Sequence, residues 1–551
     1  MILTVLLISA QLLPALVNAQ AIDADAGRLE QLLSGSGESF RRADDPAQTL
    51  TTLRTLYRAR GYAPLWQKSG RPTPQALRVL QVLRNAEDYG LDAPDYDADS
   101  IDNSLRELPA AREAQVARSA TLDLALSNAA LRFVMHLHYG RVTPRAAGFQ
   151  LQAPRSDLDA VATMELLART NDTAAALAAV EPNFDHYRLL KDALARYRRL
   201  ATQPDLTNLP AFRGKSVKPG GVYSGAPALR RLLTALGDMP ANANAPPGDV
   251  SLDTALSTGI ESFQERHGLP VDGVLGRKTY AALTVPFAER VRQIELTLER
   301  WRWLPAFATP PIVVNLPEFR LFAFRSPVDR ESDILQMDVI VGQSFPHTRT
   351  PVFVAQMKYV IFRPYWDVPD SIVQREMLRQ IAANPTFLGD NHMELVDGPS
   401  DDSPVVPPTA DNIQALAAGR LRLRQQPGDD NALGAIKFML PNPHNVYLHS
   451  TPAQHLFKES RRAFSHGCIR VSDPVGLALH VLRNADGDWT EEKIKAAMAG
   501  EPDQRVDLSK PIEVMILYGT VMATESGRVR FLEDIYGHDR KLERLLRKRK
   551  E

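Results

Sequence analysis

The chain has 551 residues, of which 44% are hydrophobic and 24% are charged, a balance typical of a globular protein with about three or four domains. Its 65 basic residues equal its 65 acidic residues, so no net field draws it to nucleic acid. The only cysteine is Cys468, which excludes an internal disulfide bond and leaves one free thiol.

The first residues of the chain have the pattern of an export signal. Residues 2–17 are apolar, and Val17-Asn18-Ala19 is a small-residue pattern that suits cleavage after Ala19. The apolar stretch is shorter than the ~20 residues that a membrane-spanning helix requires, and no Lys or Arg precedes it. We predict a signal peptide over residues 1–19, with an uncleaved N-terminal membrane anchor as the alternative.

Residues 20–205 are predicted to form a helical scaffold domain. Its clearest helix has apolar residues at steps of three and four and ends at Tyr139-Gly140, where the glycine suits a C-cap. These apolar residues are Leu122, Leu126, Ala129, Phe133 and Leu137. A second apolar stripe consists of Leu77, Leu80, Val82 and Leu83. His136 and His138 are interpreted as packing or solvent-facing residues, because nothing in this region has catalytic spacing.

Residues 215–285 are predicted to form a small module. Leu252, Leu256, Ile260 and Phe263 form one helix face, and a short helix is predicted over residues 277–283. The pattern resembles the three-helix peptidoglycan-binding module of cell-wall enzymes. The matching residues are Phe263, Gln264, His267, Gly268, Leu269, Asp272, Gly273 and Gly276. These residues cap helices and make turns, so they indicate the fold and leave open whether the module binds glycan.

A linker helix is predicted within residues 286–308, and a change to period two then predicts a β-rich sandwich over residues 309–520. A helical insertion at residues 371–425 interrupts it, and a further helix is predicted to start at Asp473-Pro474. Residues 521–551 are predicted to be a C-terminal strand and a charged, solvated tail. The predicted strands cover residues 311–316, 320–325, 334–341, 351–363, 435–440, 446–449, 512–518 and 529–531.

The candidate active site lies around Cys468, because two histidines are close to it in sequence. A thiol attacks a carbonyl as the thiolate, so a cysteine with an ordinary pKa of ~8.5 needs a nearby imidazole or another positive charge. His449 is expected at the end of a strand, and His466 lies two residues before Cys468. Gly467 permits a tight turn that aims the amides of Gly467 and Cys468 at a developing oxyanion.

His449-Ser450, followed by Ser465-His466-Gly467-Cys468-Ile469-Arg470, resembles the signature of the L,D-transpeptidases, cysteine enzymes that cross-link peptidoglycan stem peptides. The resemblance implies Cys468 as the nucleophile, His449 as its base and Ser450 as a group that orients His449. It also implies that His466 and Gly467 shape the oxyanion side. The predicted substrate-binding residues are Arg470, Ser465, Tyr447 and Trp366. Arg470 suits a substrate carboxylate, although a plain surface charge is the alternative reading.

The arginine at position 470, with Tyr447-Leu448-His449 and Arg462-Ala463-Phe464, resembles the large periplasmic, YcbB-like branch of this family. In that branch a helical scaffold precedes the catalytic domain and a capping subdomain covers the cleft. Segments 62–66 and 181–187 resemble the scaffold, and the insertion with Trp366 resembles the cap. The resemblance thus implies a multidomain α+β protein of the periplasm, whose lid excludes water when an amine accepts the acyl group.

The resemblance implies a ping-pong acyl transfer through a Cys468 thioester and labelling by carbapenems. The reaction joins the third residues of two stem peptides, which are expected to be diaminopimelates. It requires no metal, nucleotide or organic cofactor. The expected partners are peptidoglycan stem peptides and other cell-wall synthases, without nucleic acid. Four alternatives stay open: an L,D-carboxypeptidase or endopeptidase that uses the same thioester, a non-catalytic peptidoglycan-binding scaffold, a zinc hydrolase that uses both histidines and Cys468, and an inert buried cysteine.

Overall fold

The computed structural model describes residues 26–35, 46–68, 71–107, 112–151, 157–212, 214–241, 246, 248–305, 309–326, 329, 331–345, 347–400 and 402–548. The predicted signal peptide at residues 1–19 lies outside these ranges, as do the last three residues of the charged tail. In the part of the chain that is described, no helix has both the length and the apolar character needed to span a bilayer.

The N-terminal region is helical, as predicted. Its elements are α1 (26–34), α2 (Pro46–Ala59), β1 (Gln67–Lys68), β2 (Arg71–Pro72), α3 (Pro74–Arg84), α4 (Ala98–Arg106), α5 (Arg112–Tyr139), α6 (Pro144–Ala147), α7 (Ala160–Arg169), α8 (Thr173–Ala178) and α9 (Asp185–Ala201). The long helix α5 is followed by Gly140 in the left-handed region, with φ of 83°. Leu77 of the second predicted stripe is 50% exposed, because α3 turns Ala76 and Val79 into the core instead.

A buried carboxylate joins two parts of the scaffold. Asp123 of α5 accepts hydrogen bonds from the amides of Leu65 (2.9 Å) and Trp66 (2.8 Å) and from the hydroxyl of Tyr57 (2.5 Å). Burial raises the pKa of the Asp123 carboxyl to about 6. Since each oxygen already accepts at least one hydrogen bond, this side chain fixes the 65–66 segment against α5.

We expect Asp123→Asn to destabilise the scaffold by about 1–3 kcal/mol, because an amide group in place of one oxygen leaves a buried N–H without an acceptor. Urea unfolding followed by tryptophan fluorescence measures this change. Asp99→Asn is the matched control, since the Asp99 side chain is 83% exposed and its ion pair with Arg84 is worth little. Equal unfolding midpoints for Asp123→Asn and the wild type would contradict the prediction.

The small module contains the three predicted helices and a two-stranded sheet. Its elements are β3 (Ser216–Val217), α10 (Ala226–Leu236), α11 (Thr254–Arg266), β4 (Leu275–Gly276) and α12 (Arg277–Leu283). The side chain of Gln264 accepts from the amides of Asp272 and Gly273, both at 3.0 Å, and donates to the Val274 carbonyl at 3.0 Å. The matching glutamine is therefore a turn-fixing residue, as its sequence position indicates.

The remaining elements form the linker, the catalytic region and its insertion. In chain order they are α13 (Phe287–Trp301), β5 (Ile312–Asn315), β6 (Arg320–Ala323), β7 (Leu335–Gly342), β8 (Phe353–Phe362), β9 (Trp366–Asp367), α14 (Asp370–Ile372), α15 (Leu378–Ala383), α16 (Phe387–Asp390), β10 (Met393–Val396), β11 (Val405–Val406), α17 (Ala410–Ala417), β12 (Arg422–Gln425), β13 (Ile436–Met439), β14 (Leu448–His449), β15 (Ala463–Ser465), β16 (Ile469–Val471), α18 (Pro474–Leu482), α19 (Glu491–Ala499), β17 (Gln504–Leu517), β18 (Val521–Ala523), β19 (Val529–Phe531) and α20 (His538–Lys548).

The catalytic region is a nine-stranded sheet in the order β15-β7-β16-β14-β13-β8-β17-β5-β6. β6 pairs with β7 as well as with β5, so the sheet closes on itself as a barrel, where the sequence predicted a sandwich. The apolar faces of its strands and α18 form one buried core that includes Val339, Leu448 and Ile469. The long strand β17 and the pairing of β14 with β16 hold the candidate motif at one side of this barrel.

The insertion, residues 366–425, has its own sheet and core. Its four strands pair in the order β11-β10-β12-β9, where the sequence predicted helices alone. The sheet includes Trp366, five residues before the predicted start of the insertion at residue 371. The helices pack on this sheet through a separate apolar cluster around Ile372, Leu395 and Leu423. A π-helical turn, Val373–Met377, joins α14 to α15.

The linker helix α13 joins the scaffold to the barrel. Glu299 accepts hydrogen bonds from the amides of Arg141 and Val142, which follow the C-terminal end of α5. Arg302, buried just after α13, pairs with Glu299 at 3.1 Å. Because these charges are buried and paired, they fix the orientation of the scaffold relative to the helix.

Candidate active site

The candidate residues lie on two neighbouring parallel strands. Leu448 pairs with Ile469 and His449 pairs with Arg470, so Cys468, just before β16, lies beside Tyr447. Leu448 and Ile469 are fully buried in the barrel core. Because side chains alternate between the two faces of a strand, the residues on either side of them share the opposite face. That face carries Tyr447, His449, Cys468 and Arg470.

His449 is held in one tautomer by its own turn. Its Nδ1 donates to the backbone carbonyl of Ser450 at 2.6 Å, so Nε2 is left as the acceptor nitrogen. The residue is buried, with 4% of its surface exposed. Burial lowers the pKa of His449 to about 3, and the positive charge of Arg470 acts in the same direction. His449 is therefore a neutral imidazole at neutral pH.

The backbone carbonyl of Ser450 orients His449, whereas the Ser450 hydroxyl bonds to the backbone of a neighbouring segment. The Ser450 Oγ donates to the carbonyl of Leu433 at 3.1 Å and accepts from the amide of Ile436 at 3.2 Å. Gly434, with φ of 61°, lies so close that a Cβ there would meet the Ser450 hydroxyl. The hydroxyl thus fixes the start of β13 to the end of β14.

Cys468 is half-buried, and its sulfur contacts the carbonyl of Asn445 at 3.6 Å. Burial raises the pKa of the Cys468 thiol above its ordinary value; hydrogen bonds from Tyr447 and the charges of Lys437 and Arg470 only partly oppose this. Within the described residues, no hydrogen bond joins the sulfur to the ring of His449 or His466. Because burial favours a neutral His449, the ring supplies no positive charge to the sulfur in this resting state, and the ionisation of the sulfur by imidazole stays a prediction.

The loop before Cys468 is fixed by internal hydrogen bonds. The Ser465 Oγ accepts from the amide of Gly467 at 3.1 Å and donates to the carbonyl of Cys468 at 2.5 Å. Gly467 has φ of 128°, which other residues rarely adopt, and its carbonyl accepts from Thr350 at 2.8 Å. The Gly467 amide donates inside the loop in this structure, and its predicted place at the oxyanion stays a prediction.

Two predicted residues have roles that differ from substrate contact. Ser465 is 2% exposed and its hydroxyl makes two hydrogen bonds inside the loop, whereas its contact with substrate stays a prediction. His466 points to the insertion, where its Nε2 lies 2.7 Å from Glu376 Oε1 in the π-helical turn. The side chain of His466 therefore connects the loop to the insertion, through a contact between residues 90 positions apart in sequence.

Arg470 and Trp366 complete the outer face. The Arg470 Nε is buried without a hydrogen-bond partner among the described residues, and burial lowers the pKa of its guanidinium. Trp366 of β9 pairs with Gln425 of β12, at one edge of the sheet of the insertion. Within the described ranges, no three or more His, Cys, Asp or Glu side chains gather as a metal would require.

Comparison with known proteins assigns three parts of the chain. Residues 310–491 match the model of the L,D-transpeptidase catalytic domain, residues 224–283 match the "Putative peptidoglycan binding domain", and residues 51–194 match the "Scaffold domain". The chain carries an L,D-transpeptidase catalytic domain. The matched range of the L,D-transpeptidase domain includes every predicted site residue, from Trp366 to Arg470.

The chain is also similar to a curated protein. A protein of Haemophilus influenzae named "Putative L,D-transpeptidase" is 30% identical over 253 residues, which are 46% of this chain and 49% of the relative. The match thus spans about half the length of that relative. A solved L,D-transpeptidase from Xylanimonas cellulosilytica is 13% identical, with a TM-score of 0.15, over 56% of this chain and 100% of the solved chain.

Sequence reasoning missed two residues of the L,D-transpeptidase domain that contact this site. Lys437 of β13 pairs with His449, and its Nζ lies 4.1 Å from the centre of the Tyr447 ring. Its position between buried Ile436 and Phe438 already indicated an outward side chain, but the strand order was needed to bring it to His449. Glu376 had no sequence signal, because its partner lies in another part of the chain.

Proposed function

We propose that this protein is an L,D-transpeptidase that cross-links peptidoglycan stem peptides through a thioester on Cys468. One observation carries the proposal: Cys468 and His449 share one face of neighbouring strands, and the His449 Nδ1 donates to the Ser450 carbonyl, which makes Nε2 the acceptor nitrogen of the neutral ring. A neutral imidazole on that face is suited to take the thiol proton as the sulfur attacks. The matched catalytic domain supports the same reaction class.

The first half-reaction transfers an acyl group to sulfur. The Cys468 sulfur forms a bond to the carbonyl carbon of the third residue of a tetrapeptide stem, while His449 takes the thiol proton. The amide C–N bond then breaks, the His449 proton goes to the nitrogen, and the terminal D-amino acid leaves. The amide of Cys468, which has no hydrogen bond within the described residues, is the backbone donor best suited to the oxyanion.

The second half-reaction gives the acyl group to an amine. The side-chain amine of a second stem attacks the thioester, loses a proton to His449 and forms the new amide as the C–S bond breaks. The sulfur takes the proton back, and the product is a link between two third residues. The partly buried guanidinium of Arg470 favours an anionic substrate, and a stem peptide supplies carboxylates for bidentate contact.

The pH dependence of acylation follows from the neutral states of the His449 imidazole and the Cys468 thiol. Because the pKa of His449 is lowered to about 3, the base is present above about pH 4, and the raised pKa of Cys468 keeps the thiol protonated through neutral pH. We expect the second-order rate of carbapenem acylation to vary by less than ~3-fold between about pH 5 and pH 8. A tenfold rise per pH unit across this range would instead indicate a free thiolate that reacts without a base.

The test of the function uses a stem tetrapeptide with diaminopimelate at its third position. We expect an intact-mass increase equal to the tripeptidyl group on Cys468, followed by a cross-linked product when a second stem is present. Release of tripeptide alone would assign the L,D-carboxypeptidase alternative. Neither adduct nor product, with glycan binding retained, would assign the non-catalytic scaffold and overturn the proposal.

The location of the protein is part of the same proposal. Peptidoglycan lies outside the cytoplasmic membrane, so the substrate requires export, and the sequence of residues 1–19 supports a signal for it. We place the protein in the periplasm, in the large branch of the family that its scaffold and insertion resemble.

A further inference from the structure

Two cationic side chains lie on either side of His449 on the outer face of the barrel. In the strand pairing, Lys437 of β13 is the partner of His449, and His449 is in turn the partner of Arg470 in β16. The residues before and after each of these two cations are buried in the core, so both side chains point outward, as His449 does. Because neighbouring strands are ~4.8 Å apart, both charges are within reach of a ligand bound over His449.

The charge of Lys437 lies on the side of the nucleophile. Its Nζ is 4.1 Å from the centre of the Tyr447 ring, and that ring centre is 5.7 Å from the centre of the His449 ring. Tyr447 comes just before Leu448 and Cys468 just before Ile469, and the last two residues of these pairs are partners, so Tyr447 lies beside Cys468. The Lys437 side chain therefore extends diagonally to the strand position next to the sulfur, as long side chains can.

Arg470 adds a second positive charge to the same face. It follows Cys468 by two residues, so its side chain leaves the strand on the same side as the thiol. Its Nε is buried and has no hydrogen-bond partner among the described residues. A buried donor without an acceptor is destabilising, and a substrate carboxylate bound there would remove that cost. The face around Cys468 thus suits a substrate with more than one carboxylate.

The position of Lys437 fits one carboxylate of the donor stem in particular. When the carbonyl of the third residue is attacked, one residue follows the scissile bond, and its carboxylate lies about one residue length, ~3.5 Å, from the attacked carbon. The sulfur is ~3–3.5 Å from that carbon when it is poised to attack. A cation next to the neighbour of Cys468 is therefore in the region of this terminal carboxylate. In a stem one residue longer, the carboxylate would lie farther away.

We propose that Lys437 binds the terminal carboxylate of the donor stem, beside Arg470, and so selects stems with a single residue after the scissile bond. The inference rests on the proposed function, because that function defines the donor. Lys437 would then be a specificity-determining residue that contacts the substrate and takes no part in proton transfer. If Lys437 only packs on Tyr447, removal of its charge will not change the preference of the site for a carboxylate.

The first test needs no stem peptide. Iodoacetate carries a carboxylate, iodoacetamide is its neutral analogue, and Cys468 is the only cysteine of the chain. Both reagents react with the same thiolate, so a change in the pKa of the thiol cancels in the ratio of their rates. We expect Lys437→Met to lower the ratio of the iodoacetate rate to the iodoacetamide rate by about 5-fold, because a positive charge near the sulfur is lost.

Two variants control this ratio. Lys437→Arg keeps the charge and should remain within about 2-fold of the wild type. Lys495→Met removes a charge of the same sign from α19, where Lys495 pairs with Glu491, and should leave the ratio unchanged. If Lys437→Met has the same ratio as the wild type, the proposal is overturned.

The second test compares a stem tetrapeptide with its C-terminal amide. We expect the free acid to acylate wild-type Cys468 about 10-fold faster than the amide, and this preference to fall below about 2-fold in Lys437→Met, through slower reaction of the acid. A preference that Lys437→Met retains would overturn the assignment of the terminal carboxylate to Lys437. If neither peptide acylates the wild type, the proposed function fails instead, and the iodoacetate ratio distinguishes the two failures because it does not depend on that reaction.

Discussion

Cys468→Ala is expected to abolish acylation, with no mass increase from either a carbapenem or a stem tetrapeptide. The loss should exceed about 10³-fold, because no other thiol in the chain can replace the nucleophile. Intact-mass spectrometry measures this directly, and cross-linked stem peptides are counted in the same samples. The fold should tolerate the change, since Cys468 is half-buried and alanine is smaller than cysteine by one sulfur atom.

Cys468→Ser is the matched variant, because it keeps a hydrogen-bonding group of similar shape at position 468. A hydroxyl is a weaker acid and a poorer nucleophile than a thiol, so we expect a comparable loss of adduct with an unchanged melting temperature. Cross-linking or adduct formation that persists in Cys468→Ala would contradict the thioester. Glycan binding that persists while the wild type also forms no adduct would favour the non-catalytic scaffold.

The parts of the fold that follow local rules were predictable. Asp473 accepts from the amide of Gly476 at 2.8 Å as the N-cap of α18, and Pro474 occupies the first helical turn, as the pair Asp-Pro indicates. Gly467 has a backbone conformation that favours glycine, so its place before Cys468 also predicted a turn. Such features depend on neighbours in sequence, and the sequence contains them completely.

Features that depend on distant contacts were harder to predict. The barrel depends on the pairing of β7 with β16 and of β5 with β17, which lie far apart in sequence. The insertion forms a sheet from strands of two to four residues, in which β9 pairs with the distant β12. Short strands have too few residues for a period-two pattern to stand out. The contact of His466 with Glu376 has the same cause, because nothing near either residue indicates the other.

The electrostatic state of the site depends on burial, which spacing does not report. The sequence brought His449 and Cys468 to one site, and an imidazole near a thiol suggested an ion pair. In the structure, burial favours the neutral form of both groups, because it lowers the pKa of His449 and raises that of Cys468. The proton transfer is therefore expected during attack, so that His449 acts as a general base.

His449→Gln is expected to lower the rate of acylation by about 10²- to 10⁴-fold, because glutamine does not accept a proton as the thiol attacks. Alkylation of Cys468 by iodoacetamide should change by less than about 3-fold, because a neutral His449 contributes no positive charge that would stabilise the thiolate. A large loss in acylation with little change in alkylation would indicate that His449 acts as a base. A residue that only shapes the site would not produce this difference between the two rates. Stopped-flow acylation by a carbapenem and timed alkylation with mass detection measure the two rates.

His466→Gln is the matched control for this split, because the ring of His466 lies against Glu376 and makes no hydrogen bond to the sulfur within the described residues. We expect it to slow acylation by less than about 10-fold, through a looser contact between the loop and the insertion. If His466→Gln instead shows the larger loss and His449→Gln acylates like the wild type, the base is His466. If both rates fall together in His449→Gln, the imidazole ionises the thiol at rest, and the neutral pair inferred from burial is wrong.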